Sequence, residues 1–544
     1  MNTRQLQTDK NQKLYHALLG ILLVCALAMM MLLSYWACKY SYYGAVDGRT
    51  RGVLVGDKTW AHIAVFLAVS LCSMGIDKVL MKKDKSQQEK ICLCTLIVTS
   101  VIAFILGVFY VCKNPYYPVG DQINTTAFAA YCRDGNFSML SIGGYVGMYQ
   151  QQKGLAILYE ILFTLFGDFN YRPAKILHVV WWILTILAGY GFLKLNTDRP
   201  VFRMLYCVMM LGCFPLLFYL PYIYGDVLSI SFGIILFYGV AAYEHSGQKR
   251  YIALASFAAG LAVLARKNTW IVLVAVAVYV LLVSLRKKKV RYLMAGTAIL
   301  LTAALSVKAV DVIYEVRSGY PSGVGIPSIL WVAMGLQETE GRAGVYNRYQ
   351  QATFTDYDCQ QELAAQQGKE YIRERLEEFS QDPGMAFDFF KNKVEGQWIE
   401  PMYAALESTE SFEEGAELSP VLESLYYGEL GRTIWKLTNY YQSILYLAGL
   451  MALVMLGILW WKKKEVPISL WLPWIAVFGG FLFSILWEAK SRYVFPYCVF
   501  MILYAPEGLY QMGLLLCKLP KLRKFKKSGH TQDKGEEAPL RETA

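Results

Sequence analysis

About twelve apolar runs of membrane length, joined by short basic loops, leave this chain few ways to fold. A helix needs about 20 apolar residues to cross a hydrocarbon core. Runs of that kind lie near 14–37, 60–77, 91–112, 174–194, 203–222, 227–243, 251–265, 269–285, 292–309, 438–461, 467–487 and 494–514. In lipid every backbone N–H and C=O must find its partner inside the chain, so such runs become helices. The predicted fold is an all-α polytopic membrane protein, a bundle of about 12 spans. Composition agrees: 56% of the 544 residues are hydrophobic and only 17% are charged, too apolar for a soluble protein of this length.

The formal net charge of +11 would suit a nucleic-acid binder, but the Lys and Arg residues sit in short clusters between apolar runs. These clusters are "KVLMKKDKSQQEK" (78–90), "KLNTDRPVFR" (194–203), "EHSGQKR" (244–250), "RKKKVR" (286–291), "WKKKE" (461–465) and "KLPKLRKFKK" (518–527). They are the pattern of cytoplasmic loops, and no nucleic-acid partner is expected. All fall on one side when both termini are cytoplasmic, which predicts a multi-pass protein of the cell membrane. The first apolar run is too long for a signal-peptide core and reads as a retained anchor. Most of the 12 cysteines lie inside apolar runs and form no CxxC or Cys/His cluster, so neither a disulfide framework nor a zinc site is expected.

"GLAILYEILFTLFG" (154–167) tests this topology, being only fourteen residues long with Glu160 in its middle. Counted as a span, it would move every later basic loop to the other side; as an interfacial or re-entrant helix it keeps them together. The predicted organisation is an N-terminal transmembrane hairpin (1–90), a transmembrane core (91–309) whose first large external loop is 113–173, an external domain (310–437), C-terminal transmembrane helices (438–514) and a basic, partly disordered cytoplasmic tail (515–544). Between Asp311 and Lys436 there are 22 Asp and Glu against 10 Lys and Arg, the reverse of the cytoplasmic loops. Within it, 359–384 has the apolar spacing of an amphipathic helix, and 385–398 of a second one.

Four features put charge at the external membrane face. Asp121 stands in "PVGDQIN" (118–124), just past the run that ends at Val111. Asp226 closes the Pro- and Tyr-rich "FPLLFYLPYIYGD" (214–226). Arg266 and Lys267 interrupt a hairpin at "LARKNTW" (264–270), against the positive-inside bias. Glu488, Lys490, Arg492 and Tyr493 share the junction "WEAKSRYVFPY" (487–497). Each has an ordinary alternative: a solvated loop acid, an interfacial acid, snorkelling cations, or a structural Glu–Arg pair. Together, one carboxylate with several cations suits a transfer in which an acceptor hydroxyl loses its proton and attacks an anomeric carbon while a lipid phosphate departs. A single base suffices for inversion with an activated donor. No Walker A, GxSxG or HExxH motif competes.

The acid in the first external loop, the helix ending in "LFG" and followed by "YRPAKILHVVWWILTILAGYGFL", the "ARKNTW" hairpin and the "EAKSRYVFP" junction resemble the C-type (GT-C) glycosyltransferases. The nearest resemblance is to bacterial dolichyl-phosphate-mannose protein mannosyltransferase-like proteins of glycosyltransferase family 39, over about 91–310 and 438–514. The resemblance implies a GT-C helix bundle and a polyprenyl-phosphate sugar as donor. It implies Asp121 as catalytic base, Asp226 as a second active-site acid, Arg266, Lys267, Arg492 and Tyr493 at the donor phosphate, and Glu488 paired with Arg492. Gln122 and Lys153 complete the set as supporting residues. The acceptor would be an extracytoplasmic glycan, lipid or protein. Two departures stand out: "YQQQKGLA" (149–156) replaces the His-Pro-Pro of many relatives, and Gln122 stands where some carry a second acid. No cofactor is therefore expected, with a divalent metal the open alternative. The competing functions are a transporter or flippase of lipid-linked glycans and a polymerase or ligase of lipid-linked polysaccharide. The 1–80 hairpin carries no derivable role, and the external insertion suits either acceptor recognition or a cap.

Overall fold

The computed structural model describes residues 3–44 and 52–529, which form a helical membrane bundle with two short two-stranded hairpins. Among the described residues nine helices are long and apolar enough to cross a membrane; a tenth span results if the bent pair Ser491–Met501 and Ala505–Lys518 is one. Helix Asp226–Ser246 is the hub. Its apolar window is 83% buried, against 28% for Lys85–Lys113 and Val290–Ser318. It is apolar on every face, as a helix enclosed by other helices must be, and it packs chiefly on Arg172–Asn196 and Lys249–Ala265. The peripheral helices instead expose large apolar side chains such as Ile105, Phe109 and Leu305, the surface that lipid would cover.

Three of the twelve expected spans are not single membrane-length helices. The 203–222 run is cut by Pro215 and Pro221 into Pro200–Gly212, Phe214–Phe218 and a buried loop, because proline lacks the N–H that a continuing helix needs. Lys249–Ala265 has 17 residues, about 25 Å of helix, and stops at Arg266. The 494–514 run bends by 59° between its two helices, where Pro506 follows the break and its ring excludes the preceding turn's carbonyl.

The basic loops meet at one end of the bundle. Arg199 Nη1 lies 3.0 Å from Asp77 Oδ2, Arg203 grips Glu89 with bonds of 2.9 and 2.6 Å, and Lys287 Nζ sits 2.8 Å from Glu244 Oε1. Glu244 Oε2 also accepts from Ser469 N at 3.0 Å, and Arg286 donates to Val466 O at 2.8 Å. Residues 78–90, 194–203, 244–250, 286–291 and 461–469 thus share one end.

The opposite end carries the loops between 113 and 171 and the region after 318. The short apolar segment forms helix Lys153–Phe166, burying Leu155, Ala156, Tyr159 and Phe163 while leaving Ile161, Leu165 and Phe166 exposed, the two faces of a helix lying along an interface. Helix Val290–Ser318 runs past residue 310, and Glu429–Trp461 begins before 438. Between them stand helices Gln361–Gln381 and Pro383–Trp398, with Asp382 capping the second through Met385 N at 2.9 Å. From Trp398 to Ala405 the chain dips back into the core: Glu400 is fully buried, and its carboxylate accepts from the N–H groups of Met402 and Ala404 at 2.7 and 2.6 Å. The N-terminal hairpin, Tyr40–Tyr43 against Val53–Gly56, rests on this segment through Tyr42 N and Ile399 O at 3.2 Å. The last helix, Ala505–Gly529, includes the basic cluster and so takes in the first part of the tail expected at 515–544; residues 530–544 lie outside the described residues.

Candidate functional site

Asp226 opens the hub helix and is 2% exposed. A buried carboxylate is tolerated only with charged partners, and here two arginines supply them. Arg266 Nη1 is paired with Asp226 Oδ1, and Arg492 Nε stands 4.0 Å from the same oxygen. The apposition depends on Gly225. A Cβ there would overlap the carbonyl of Ala265 and lie 2.9 Å from Arg266 Cγ, so only a bare backbone lets the 219–225 loop reach the hairpin tip.

Tyrosines wrap the two guanidinium groups. Arg266 lies over the rings of Tyr224 and Tyr493, 5.4 and 5.3 Å from their centroids, and Arg492 over Tyr222, Tyr224 and Tyr493 at 5.2, 5.5 and 5.5 Å. Ring faces attract these cations while shutting out water. Arg492 Nη1 also donates to the Tyr222 hydroxyl. Two cations around one anion leave a surplus of positive charge. Asp226 Oδ2 and Arg492 Nε are buried without a hydrogen-bond partner.

Asp121 lies beyond Tyr224. It is not in an open loop but is the first residue of helix Asp121–Arg133, in the turn where a helix favours an anion. Gly120 precedes it at φ 59°, a left-handed conformation that other residues adopt at a cost. The carboxylate is exposed, and the Tyr145 hydroxyl donates to Oδ1 at 2.9 Å. Burial, then Tyr224 and Asp121, push the Tyr145 phenol well above its ordinary range, so it remains a donor. Burial and the Asp121 charge likewise raise Tyr224, whose hydroxyl accepts from Gln152 Nε2 at 2.5 Å.

Arg266 and Arg492 together line a small cavity of about 20 Å³, and two larger ones open on the Arg266–Lys267 side. One, of about 100 Å³, is lined by Gln151, Gln152, Tyr224, Arg266, Lys267, Asn268, Ser328, Trp331, Trp487, Glu488 and Tyr493. The other, of about 340 Å³, shares Gln151, Lys267 and Ser328 with it and extends along Val263, Leu264, Val307 and Val310. Lys267 is exposed where they meet.

The residues singled out in the sequence thus separate into groups. Asp226, Arg266, Arg492 and Tyr493 form one cluster; Lys267 and Glu488 line its cavity; Asp121 approaches through Tyr224. Glu488 does not pair with Arg492 but with Lys490, Nζ to Oε1 3.2 Å. The backbone is extended at Trp487 and Lys490, and alternate residues of an extended segment share a face, whereas Arg492 has already entered the next helix. Lys153 is buried against Asp311 and Ser322 Oγ, the latter at 2.8 Å, on the wall of the larger cavity. Gln122 points into the core, accepting from Tyr116 OH at 2.6 Å. Among the described residues no three His, Cys, Asp or Glu side chains converge as a metal site would require. Tyr145, Tyr222, Tyr224, Gln152, Trp331 and Trp487 were not singled out individually by sequence; the available signals were the tyrosine density of "FPLLFYLPYIYGD" and the stretches "WEAKSRYVFPY" and "YQQQKGLA", which contain Trp487 and Gln152.

No protein-family model and no curated protein matches this chain. A solved structure of the archaeal oligosaccharyltransferase AglB from Archaeoglobus fulgidus, in complex with an inhibitory peptide and a dolichol-phosphate, is similar to it with a TM-score of 0.39 and 11% sequence identity. The likeness covers 83% of this chain and 53% of that one, so the chain spans about half the length of that protein. At this score and identity it carries no functional information.

Proposed function

We propose that this protein is an integral-membrane glycosyltransferase of the GT-C type, which moves a sugar from a polyprenyl-phosphate donor onto an extracytoplasmic acceptor. One observation carries the reading. A cationic cluster, Arg266 and Arg492 around a single buried Asp226, stands beside an exposed acid, Asp121, held by a tyrosine hydroxyl. Both lie at the end of the bundle remote from the basic loops. By the positive-inside bias that end is extracytoplasmic, with both termini in the cytoplasm.

In this mechanism Asp121 accepts the proton of the acceptor hydroxyl as its oxygen attacks the anomeric carbon. The bond from that carbon to the phosphate oxygen breaks on the opposite face, and the configuration inverts. Negative charge grows on the departing phosphate, and Arg492, Arg266 and Lys267 supply the compensating field. Asp226 does not meet the substrate but keeps the two guanidinium groups in place, with Tyr493 and Tyr222 screening them from water. The wall of Val263, Leu264, Val307 and Val310 suits the first isoprene units, so the donor enters from the lipid side.

Asp121→Asn tests the reading. In proteoliposomes supplied with polyprenyl-phosphate sugars, the variant is expected to insert and bind the lipid phosphate as wild type does, while transfer falls by about two to four orders of magnitude, the usual worth of a general base. Wild-type turnover by the Asn variant would remove Asp121 as the base.

A further inference from the structure

The cavity of about 100 Å³ has a wall that the charge chemistry does not use. Trp331 and Trp487 stack in parallel, with centroids 5.9 Å apart and 3° between their planes, and both line the cavity. They come from different parts of the chain: Trp331 from helix Ile329–Gly335, in the region between residues 319 and 428, and Trp487 from the extended segment beside Glu488. The region's grip on this segment is direct. Ala489 N donates to Gly344 O at 2.7 Å, and Trp398 Nε1 donates at 3.0 Å to Ser484 Oγ in helix Leu472–Leu486, which leads into Trp487. Around the two indoles, Gln151, Gln152, Asn268 and Ser328 bring amides and a hydroxyl to the same cavity.

Apolar indole surface, with Phe483 stacked behind Trp487 at 4.9 Å and hydrogen-bonding groups including Glu488 around it, matches a sugar ring, whose C–H face is apolar and whose hydroxyls lie around its edge. An isoprenoid chain would leave the amides of Gln151 and Asn268 unpaired, and a second phosphate would gain nothing from the indoles. Position agrees with composition. The sugar of a polyprenyl-phosphate donor is joined to its phosphate through one oxygen, so the ring must sit beside the cations that hold the phosphate. Arg266 and Lys267 line this cavity too.

We propose that the Trp331–Trp487 wall, with Gln151, Gln152 and Asn268, is the subsite for the donor's sugar ring, so that the region between residues 319 and 428 contributes to donor recognition. The inference rests on the polyprenyl-phosphate reading above and deepens it.

The test compares binding of a short-chain polyprenyl phosphate with binding of its glucosyl, galactosyl and mannosyl esters, using purified full-length protein and intrinsic tryptophan fluorescence or calorimetry. In wild type at least one ester is expected to bind more tightly than the bare phosphate. Trp487→Ala should remove roughly three- to tenfold of that advantage and leave the bare phosphate's affinity unchanged, while Trp487→Phe, which keeps a ring face, should restore most of it. Gln151→Ala changes an exposed side chain and should weaken the same ester selectively, so the test survives if Trp487→Ala fails to fold. If no ester outbinds the bare phosphate, or if Trp487→Ala and Gln151→Ala leave the advantage intact, the subsite is wrong while the lipid-phosphate reading stands. If wild type binds neither bare phosphate nor esters, that underlying reading falls instead, and the subsite with it.

Discussion

Gly225→Ala probes the contact that brings Asp226 to Arg266. Gly225 has φ −81° and ψ 6°, which alanine also adopts, so the substitution strains no backbone angle. The conflict is steric. The new Cβ would lie 2.7 Å from the Ala265 carbonyl carbon and 2.9 Å from Arg266 Cγ, where ordinary contact begins at 3.4 Å. The carbonyl belongs to backbone and cannot rotate aside, and its oxygen overlaps the new Cβ more deeply still, so the two segments must part by more than about 1 Å in a close-packed interior. Overpacking of this kind costs about 1–3 kcal/mol, which shifts the melting temperature of so large a chain by a few degrees without unfolding it. The functional loss should be larger. Asp226 and Arg266 are both buried, so loosening their pair leaves each charge less compensated, and a misplacement of about 1 Å can lower a rate by about 100-fold. The assay is binding of a short-chain polyprenyl phosphate to purified protein, followed by transfer in proteoliposomes, with thermal midpoints recorded alongside. Gly212→Ala is the control, because the nearest atom to its Cβ is 3.8 Å away. If Gly225→Ala binds and transfers like the control, the approach of residue 225 to residue 265 does not set the site, and the Asp226–Arg266 pairing does not depend on a bare backbone at Gly225.

Tyr145→Phe removes the hydroxyl that donates to Asp121 at 2.9 Å; kcat should fall about tenfold with the donor's KM nearly unchanged, and a raised KM with kcat unchanged would instead make Tyr145 a binding residue. Arg492→Ala should weaken bare polyprenyl phosphate by roughly 10- to 100-fold, the range for a hydrogen bond to a charged group; unchanged donor affinity would take Arg492 out of the phosphate site. Lys393 supplies a pH test. Burial lowers its ammonium from 10.5 to about 7, with Glu488 opposing. Between about pH 7 and 10.5 the unfolded chain therefore holds a proton that the folded protein has lost, so this group's contribution to stability rises with pH across that window and its penalty is fully present below it. Lys393→Met should accordingly gain less thermal stability than wild type between pH 7 and pH 9; identical slopes would contradict the buried, weakly basic Lys393.

Much of the fold was legible because membrane residence is written locally. Lipid compels any apolar run to pair its own backbone, so nine described helices lie on runs visible in the chain. The helix at 153–166 was readable from its length and Glu160, and that at 361–381 from its spacing. The exceptions have local causes only partly visible beforehand. Pro215 and Pro221 cut one run and Pro506 bends another, yet prolines also occur in intact spans, so hydropathy alone could not say which would break. Helix Asp121–Arg133 was missed because its composition is mixed, with polar Gln122, Thr125 and Thr126 buried rather than facing water.

The site divides in the same way. The amino-acid sequence by itself determined that this is a multi-pass helical protein, and that its unexplained charges, Asp121, Asp226, Arg266, Lys267 and Arg492, fall at junctions remote from the basic loops, because hydropathy and charge act on each segment separately. Tertiary structure alone decided which charges meet. Arg266 reaches Asp226 across 40 positions and Arg492 reaches Tyr222 across 270; Arg492 turns from its neighbour Glu488 to a partner on the hub helix, and Trp331 arrives at Trp487 from another part of the chain. Such pairings follow from close packing: a bare backbone at Gly225, a buried acid that must be neutralised, and tyrosine faces that exclude water select one arrangement among many that the same local pattern would allow.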